Sequence, residues 1–225
     1  MTRSELARHF HALTAISREE IFGAKDAMVR PLHLTDDAFT MFPGYVGANF
    51  TPGRGLLLLA INPGGGGDSY VKRIPEDEEL YPILASFKRA SPGQAELHFE
   101  RMNTSFHRAV QGWNLWRILR PTLDAAGLGL HEVAYMNVVP YRTRGDKMPP
   151  IDARRTAWSR IVSPSIDALK PTAIVTLGKK ADSAVAPMLR TATRYYCVPR
   201  TIGDSWVSPE AIQVHEKIRK DFHDA

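Results

Sequence analysis

The chain has 225 residues, of which 44% are hydrophobic and 24% charged, a composition that excludes a wholly disordered polymer. Its single cysteine, Cys197, excludes an intramolecular disulfide and any four-cysteine metal or iron–sulfur site within the chain. The formal net charge of +5 suits a polyanionic partner without requiring one, and the longest apolar run, Leu56–Ile61, is too short to span a bilayer. The opening Met1–Leu6 lacks a secretory pattern, so a cytoplasmic location is expected.

Residues 3–30 set Leu6, Phe10, Leu13, Ile16, Ile21, Ala24 and Met28 at helical spacing and predict a helical segment. Residues 31–55 carry Pro31, Pro43, Gly44, Gly47, Pro52, Gly53 and Gly55 and read as loop. We expect residues 1–50 to be an extension packed on the outside of a core spanning 55–205, the whole of 1–225 forming one domain.

From residue 56 the pattern changes. Leu56-Leu57-Leu58-Leu59-Ala60-Ile61-Asn62 is a continuous apolar run ending in a turn cluster, as in a strand buried on both faces. Further strands are expected at Glu132–Val139, Ala173–Leu177 and Arg194–Val198. Between and after them, 98–126, 152–169, 179–190 and 208–223 read as helices. Alternation of this kind predicts an α/β fold: a three-layer αβα sandwich around a central, mainly parallel four-stranded sheet. Sites in such sheets lie at the strand carboxyl ends. Here those ends are Asn62–Ser69, Asn137–Arg144, Gly178–Lys180 and Pro199–Ser205.

The strongest local signal is Asn62-Pro63-Gly64-Gly65-Gly66-Gly67-Asp68-Ser69-Tyr70. Successive glycines let a backbone approach a ligand closely and can turn several N–H groups toward one anion. The run is neither a P-loop, because no Lys-Ser/Thr follows, nor a G-x-G-x-x-G fingerprint. An amide at a strand end, locked by Pro63, is costly to bury unless it is used.

Ile61-Asn62-Pro63-Gly64 after an apolar strand resembles the first motif of the uracil-DNA glycosylase superfamily, in the form found in its mismatch-specific branch. Asn137-Val138-Val139-Pro140 is similar to the Asn-Val-Val segment of the bacterial and archaeal branches. Ile174–Gly178, followed by Ala181, resembles the superfamily's penultimate strand. The resemblance implies hydrolysis of the N-glycosidic bond of a flipped-out uracil in DNA, by a monomer that needs no cofactor or metal. It implies that Asn62 holds the attacking water and that Asn137 reads the uracil edge, for which an amide offers both donor and acceptor. Backbone N–H groups at Ile61 and Gly64 would meet uracil O2. Asp68 is the nearest carboxylate that could take the proton of the water, and Tyr70 or Tyr81 would stack on the base.

Two departures from the pattern stand out. The superfamily's final His-Pro-Ser motif is replaced by Val198-Pro199-Arg200-Thr201, with no histidine between 132 and 214. Arg200 is the natural substitute at the leaving base, and Thr201–Trp206 would then be the DNA-inserting loop. The tyrosine that excludes thymine in strict members is here Gly64. Phosphate contacts are expected from Arg142, Arg144, Lys147, Lys179 and Lys180, all at strand carboxyl ends. Arg154, Arg155 and Arg160 read as a solvated helix face, and Trp113 and Trp116 as core.

Two alternatives belong beside this reading. One is a catalytically inactive DNA- or base-binding member of the fold. The other is a hydrolase, since Gly67-Asp68-Ser69 is similar to the nucleophile block of the GDS-type esterases. Those enzymes need an Asp-x-x-His pair near the C-terminus, which His215 and His223 do not supply.

Overall fold

The structure is a computed structural model that describes residues 1–31, 39–64, 75–190, 193–200 and 207–223. It is an α/β fold built on a mixed five-stranded sheet. The four expected strands are β2 (Leu56–Ala60), β3 (Val133–Asn137), β4 (Ala173–Leu177) and β5 (Arg194–Val198), and all four run parallel. A fifth strand, β1 (Tyr45–Val46), corrects the four-stranded expectation. It pairs antiparallel with β3 at the edge, giving the order β1-β3-β2-β4-β5.

Only two residues of β1 satisfy a strand, and glycines flank them, so periodicity has nothing to detect. Tertiary contacts hold it. Val46 N–H donates to Asn103 Oδ1, while the Arg3 guanidinium binds the carbonyls of Val46 and Gly47 and the carboxylate of Glu100. These side chains cover a sheet edge that would otherwise offer unpaired backbone groups.

β2 lies in the middle of the sheet. Leu56, Leu57, Leu58 and Leu59 are each fully buried, as a strand covered on both faces requires. Residues in register put Tyr45, Leu58, Tyr135, Val175 and Tyr196 on one face. Phe106 of helix α4 (Ala95–Gly112) stacks on Tyr45 and Tyr135 there, and Tyr196 donates to Asp221 of α9 (Pro209–His223). On the opposite face, Tyr195 donates to Asp182 of α8 (Lys179–Val185).

The helical expectations hold in outline and fail at breaks. The segment 3–30 is not one helix: α1 (Arg3–Leu13) and α2 (Arg18–Phe22) are separate, and a 3-10 turn covers Gly23–Met28. Each of the two helices opens with its own capping box, Thr2 with Glu5 and Ser17 with Glu20, which restarts the chain at Ser17. Residues 98–126 divide into α4 and α5 (Trp116–Ala126), because Trp113 turns extended at the end of α4. Helix α3 (Pro75–Arg89) was not expected, although Pro75 followed by four acidic residues is a helix-start signature. Residues 151–169 form α6 (Ile151–Ala157), a π turn (Trp158–Val162) and α7 (Ser163–Leu169). Pro164 explains the π turn, since its ring would clash with the Arg160 carbonyl in a regular helix.

Helix α1 packs on α4 and α7. His9, half-buried, and His215, buried, are polar links between elements. Thr122 gives its hydroxyl proton to the Ile118 carbonyl, so His215 Nε2–H donates to Thr122; Ser165, bonded to the Ile161 carbonyl, receives His9 in the same way. Burial holds the pKa of both imidazoles below the usual value.

Two outcomes are expected. A Cβ at Gly47 would lie 2.2 Å from the His131 carbonyl oxygen, whereas one at Gly93 meets nothing within 4 Å. Gly47→Ala should therefore cost about 1–3 kcal/mol in urea unfolding, and Gly93→Ala close to nothing; equal midpoints would refute the tight β1 packing. Because burial lowers the pKa of His9 and His215 in the folded protein, the unfolded chain binds more protons below its own histidine pKa of about 6.5. Stability is then fully present above that pH and lost as pH falls below it. The melting temperature should drop from pH 7 to pH 5, and His9→Gln with His215→Gln should flatten that slope; parallel curves would rule it out.

Candidate functional site

The chain leaves β2, passes through α3, α4 and α5 and returns as β3 on one side. It then crosses to β4 on the other side of β2. The carboxyl end of β2 is therefore the point where the winding direction reverses, which is where open α/β sheets place their ligands. Ile61, Asn62, Pro63 and Gly64 continue directly from it. Ala60 pairs with Asn137, and the ladder runs on through Val138 N–H to the Ala60 carbonyl and Val139 N–H to the Ile61 carbonyl. Asn137 thus ends β3 and Asn62 lies two residues beyond the end of the adjacent β2, although they are far apart in sequence.

Asn137 is 3% exposed. Its Oδ1 accepts from the hydroxyl of Tyr135, two residues earlier on the same sheet face, at 3.3 Å. Its Nδ2 has no acceptor among the described residues. Complete burial pushes the Tyr135 phenol pKa well up, and the Arg200 guanidinium, felt at that hydroxyl, opposes the shift.

Arg200 follows β5 and is exposed. Its stem lies over Gly178 at the end of β4: a Cβ on Gly178 would be 3.3 Å from Arg200 Cδ, and the Gly178 backbone has φ +98°. Glycine serves here both the backbone conformation and the passage of the arginine stem. Arg200 therefore leans from β5 across β4 toward the ends of β2 and β3.

Asn62 is half-buried. Its Nδ2 donates to Thr143 Oγ1 at 3.1 Å and to the Pro63 carbonyl at 3.3 Å. Thr143, fully buried, was not singled out in the sequence; only its place after the β3 motif could have marked it. The N-terminal segment braces this stretch. Val29 and Thr143 form a bridge, Arg30 N–H donates to the Arg142 carbonyl, Tyr141 donates to the Ile16 carbonyl, and Arg144 Nε donates to the Ala27 carbonyl.

The expected phosphate contacts divide. Lys147 and Lys180 are exposed. Arg144 is exposed but tied to Ala27. Lys179 is exposed and lies 3.4 Å from Glu210 of α9. Arg142 is half-buried, with its guanidinium 4.9 Å from the ring centre of Tyr81. Tyr81 itself is 4% exposed, so Arg142 covers one of the two rings, Tyr70 and Tyr81, named as candidates to stack on a base. Arg160 pairs with Glu20, in keeping with an outward helix face.

Asp68, Tyr70, Ser69 and the Thr201–Trp206 loop lie outside the described residues. His215 is engaged with Thr122, and His223 lies against Gly127, which precedes β3 at the end of the sheet away from the glycine run. Neither supports a serine-hydrolase arrangement. Among the described residues, no group of three or more His, Cys, Asp or Glu could hold a metal ion, and no helix is long and apolar enough to cross a membrane.

Searches for similar proteins match no protein-family model and no curated sequence.

A Cβ at Gly64 meets nothing within 4 Å, and its φ is not left-handed. Gly64→Ala should therefore leave chemical unfolding unchanged, while Gly178→Ala should cost about 1–2 kcal/mol through its backbone conformation. Equal stabilities for the two variants would contradict the positive-φ backbone at Gly178.

Proposed function

We propose that the protein is a DNA glycosylase that hydrolyses the N-glycosidic bond of a flipped-out uracil and leaves an abasic site, on a three-layer αβα fold of the uracil-DNA glycosylase type. The observation that carries this reading is the convergence at one end of the sheet. One carboxamide ends β3 and the other follows the end of the neighbouring β2, and a guanidinium leans in from β5. Helices packed against both sheet faces are in keeping with the three-layer arrangement.

In this reading a water oxygen attacks C1′ of the deoxyribose. The C1′–N1 bond breaks, its electron pair stays on uracil N1, and the water proton passes to solvent or to a carboxylate such as Asp68. The sugar passes through an oxocarbenium-like transition state, and the departing base carries negative charge. Asn62 orients the water through its carbonyl oxygen. Asn137 offers Nδ2 to a carbonyl oxygen of the base and keeps a lone pair on Oδ1 for N3–H. Arg200 supplies fixed positive charge beside the base, where preorganised charge lowers the barrier most. Lys147, Lys180 and Lys179 would meet phosphates, while Arg142, stacked on Tyr81, would present a flat cationic surface near the base rather than an outward phosphate contact.

The lack of a histidine between 132 and 214 favours a second reading, a protein that binds DNA or a damaged base without cleaving it. Incubation with single- and double-stranded uracil oligonucleotides followed by alkali separates the two. Strand scission at uracil is expected, falling steeply with salt. Asn137→Ala should weaken base recognition by about 10–100-fold, the cost of unpaired polar groups. Arg200→Ala should slow single turnover more than it weakens DNA binding. Tight uracil-DNA binding without scission would favour the second reading, and absence of both would overturn the first.

A further inference from the structure

We infer that Thr143 is a positioning residue that sets which end of the Asn62 carboxamide faces the site. Its hydroxyl lies 2.6 Å from the Lys147 carbonyl oxygen, which can only accept. The single hydroxyl proton of Thr143 is therefore committed to Lys147, and toward Asn62 its oxygen can only accept. The atom of Asn62 that lies 3.1 Å away must be the donor, Nδ2, and not Oδ1. The Pro63 carbonyl, also an obligate acceptor, lies 3.3 Å from the same nitrogen. Two acceptors thus select one of the two flip states of the amide, and Oδ1 is turned the other way as an acceptor. No described residue donates to that oxygen.

Selection of this kind needs a rigid acceptor, and the fold supplies one. Thr143 is fully buried and bridged to Val29, and the chain from 143 to 147 closes into a 3-10 turn through Gly145 at φ +64° and Asp146 at φ +50°. That turn brings the Lys147 carbonyl back onto the Thr143 hydroxyl. The relay therefore runs from the Lys147 carbonyl through the Thr143 hydroxyl to the Asn62 amide.

What Oδ1 does rests on the hydrolytic reading above; its orientation does not. An outward carbonyl oxygen takes a hydrogen bond from water and leaves the water's lone pairs free to attack. An outward NH2 would donate to those lone pairs and blunt the nucleophile.

The test has two arms. Side-chain amide signals of Asn62 are identified in the 15N spectrum by their loss in Asn62→Asp, and their hydrogen exchange is measured without DNA. Thr143→Val removes the hydroxyl at nearly constant volume and should speed Asn62 amide exchange about tenfold, while Thr143→Ser should keep it slow. In the second arm, single-turnover excision from a uracil oligonucleotide should fall about 10–100-fold in Thr143→Val with little change in DNA affinity, and Thr143→Ser should restore it. Unchanged Asn62 exchange in Thr143→Val overturns the inference, whatever the activity. Faster Asn62 exchange in Thr143→Val, together with a wild-type protein that excises no uracil, upholds the orientation and removes the hydrolytic reading. If Thr143→Val does not fold, faster Asn62 exchange in the folded Thr143→Ser variant than in wild type overturns the relay, and slow exchange there supports it.

Discussion

Everything in this molecule is arranged around one strand that cannot touch water. Leu56 to Leu59 are fully buried on both sides of the sheet, and full burial of such side chains is worth about 1.5–3 kcal/mol each. That demand draws helices to both faces and puts β2 between β3 and β4. The chain winds outward from the middle in two directions, so the winding reverses at the carboxyl end of β2. The same hydrophobic term that stabilises the core therefore fixes where Ile61 to Gly64 leave the sheet, beside Val138 and Val139.

Polar groups at this end are held by a small number of directional bonds. Tyr135 holds Asn137, Thr143 holds Asn62, and Gly178 lets Arg200 pass. The supports come from distant parts of the chain. Residues 16 to 30, expected only to pack on the outside, brace the 141–144 segment through Ile16, Ala27, Val29 and Arg30. A glycosylase reading draws on all of these supports, since a water, a base edge and a leaving anion must be met at once.

The four long strands were legible because a run of consecutive apolar residues has few alternatives in a folded chain. β4 and β5 match the expected limits, and β2 ends two residues sooner than expected. Helix periodicity was misleading where a cap overrides it: Ser17 restarts the chain in the middle of an unbroken apolar rhythm. α3 went unrecognised because its acidic start hides the apolar face, and β1 because two residues carry no period. At the site, Asn62, Asn137 and Arg200 could be picked out as amides and a cation at strand ends. Thr143 could not, because a buried threonine among polar loop residues has no pattern of its own.

Local chemistry alone determined which segments are buried strands, where they end and which residue types wait there, because these depend on hydrophobic runs and on short-range turn signals. Tertiary structure decided the strand order, the edge strand, the bracing by the N-terminal segment and the partner of each amide. Those are contacts between residues tens of positions apart, and their energy exists only after the chain has closed on itself.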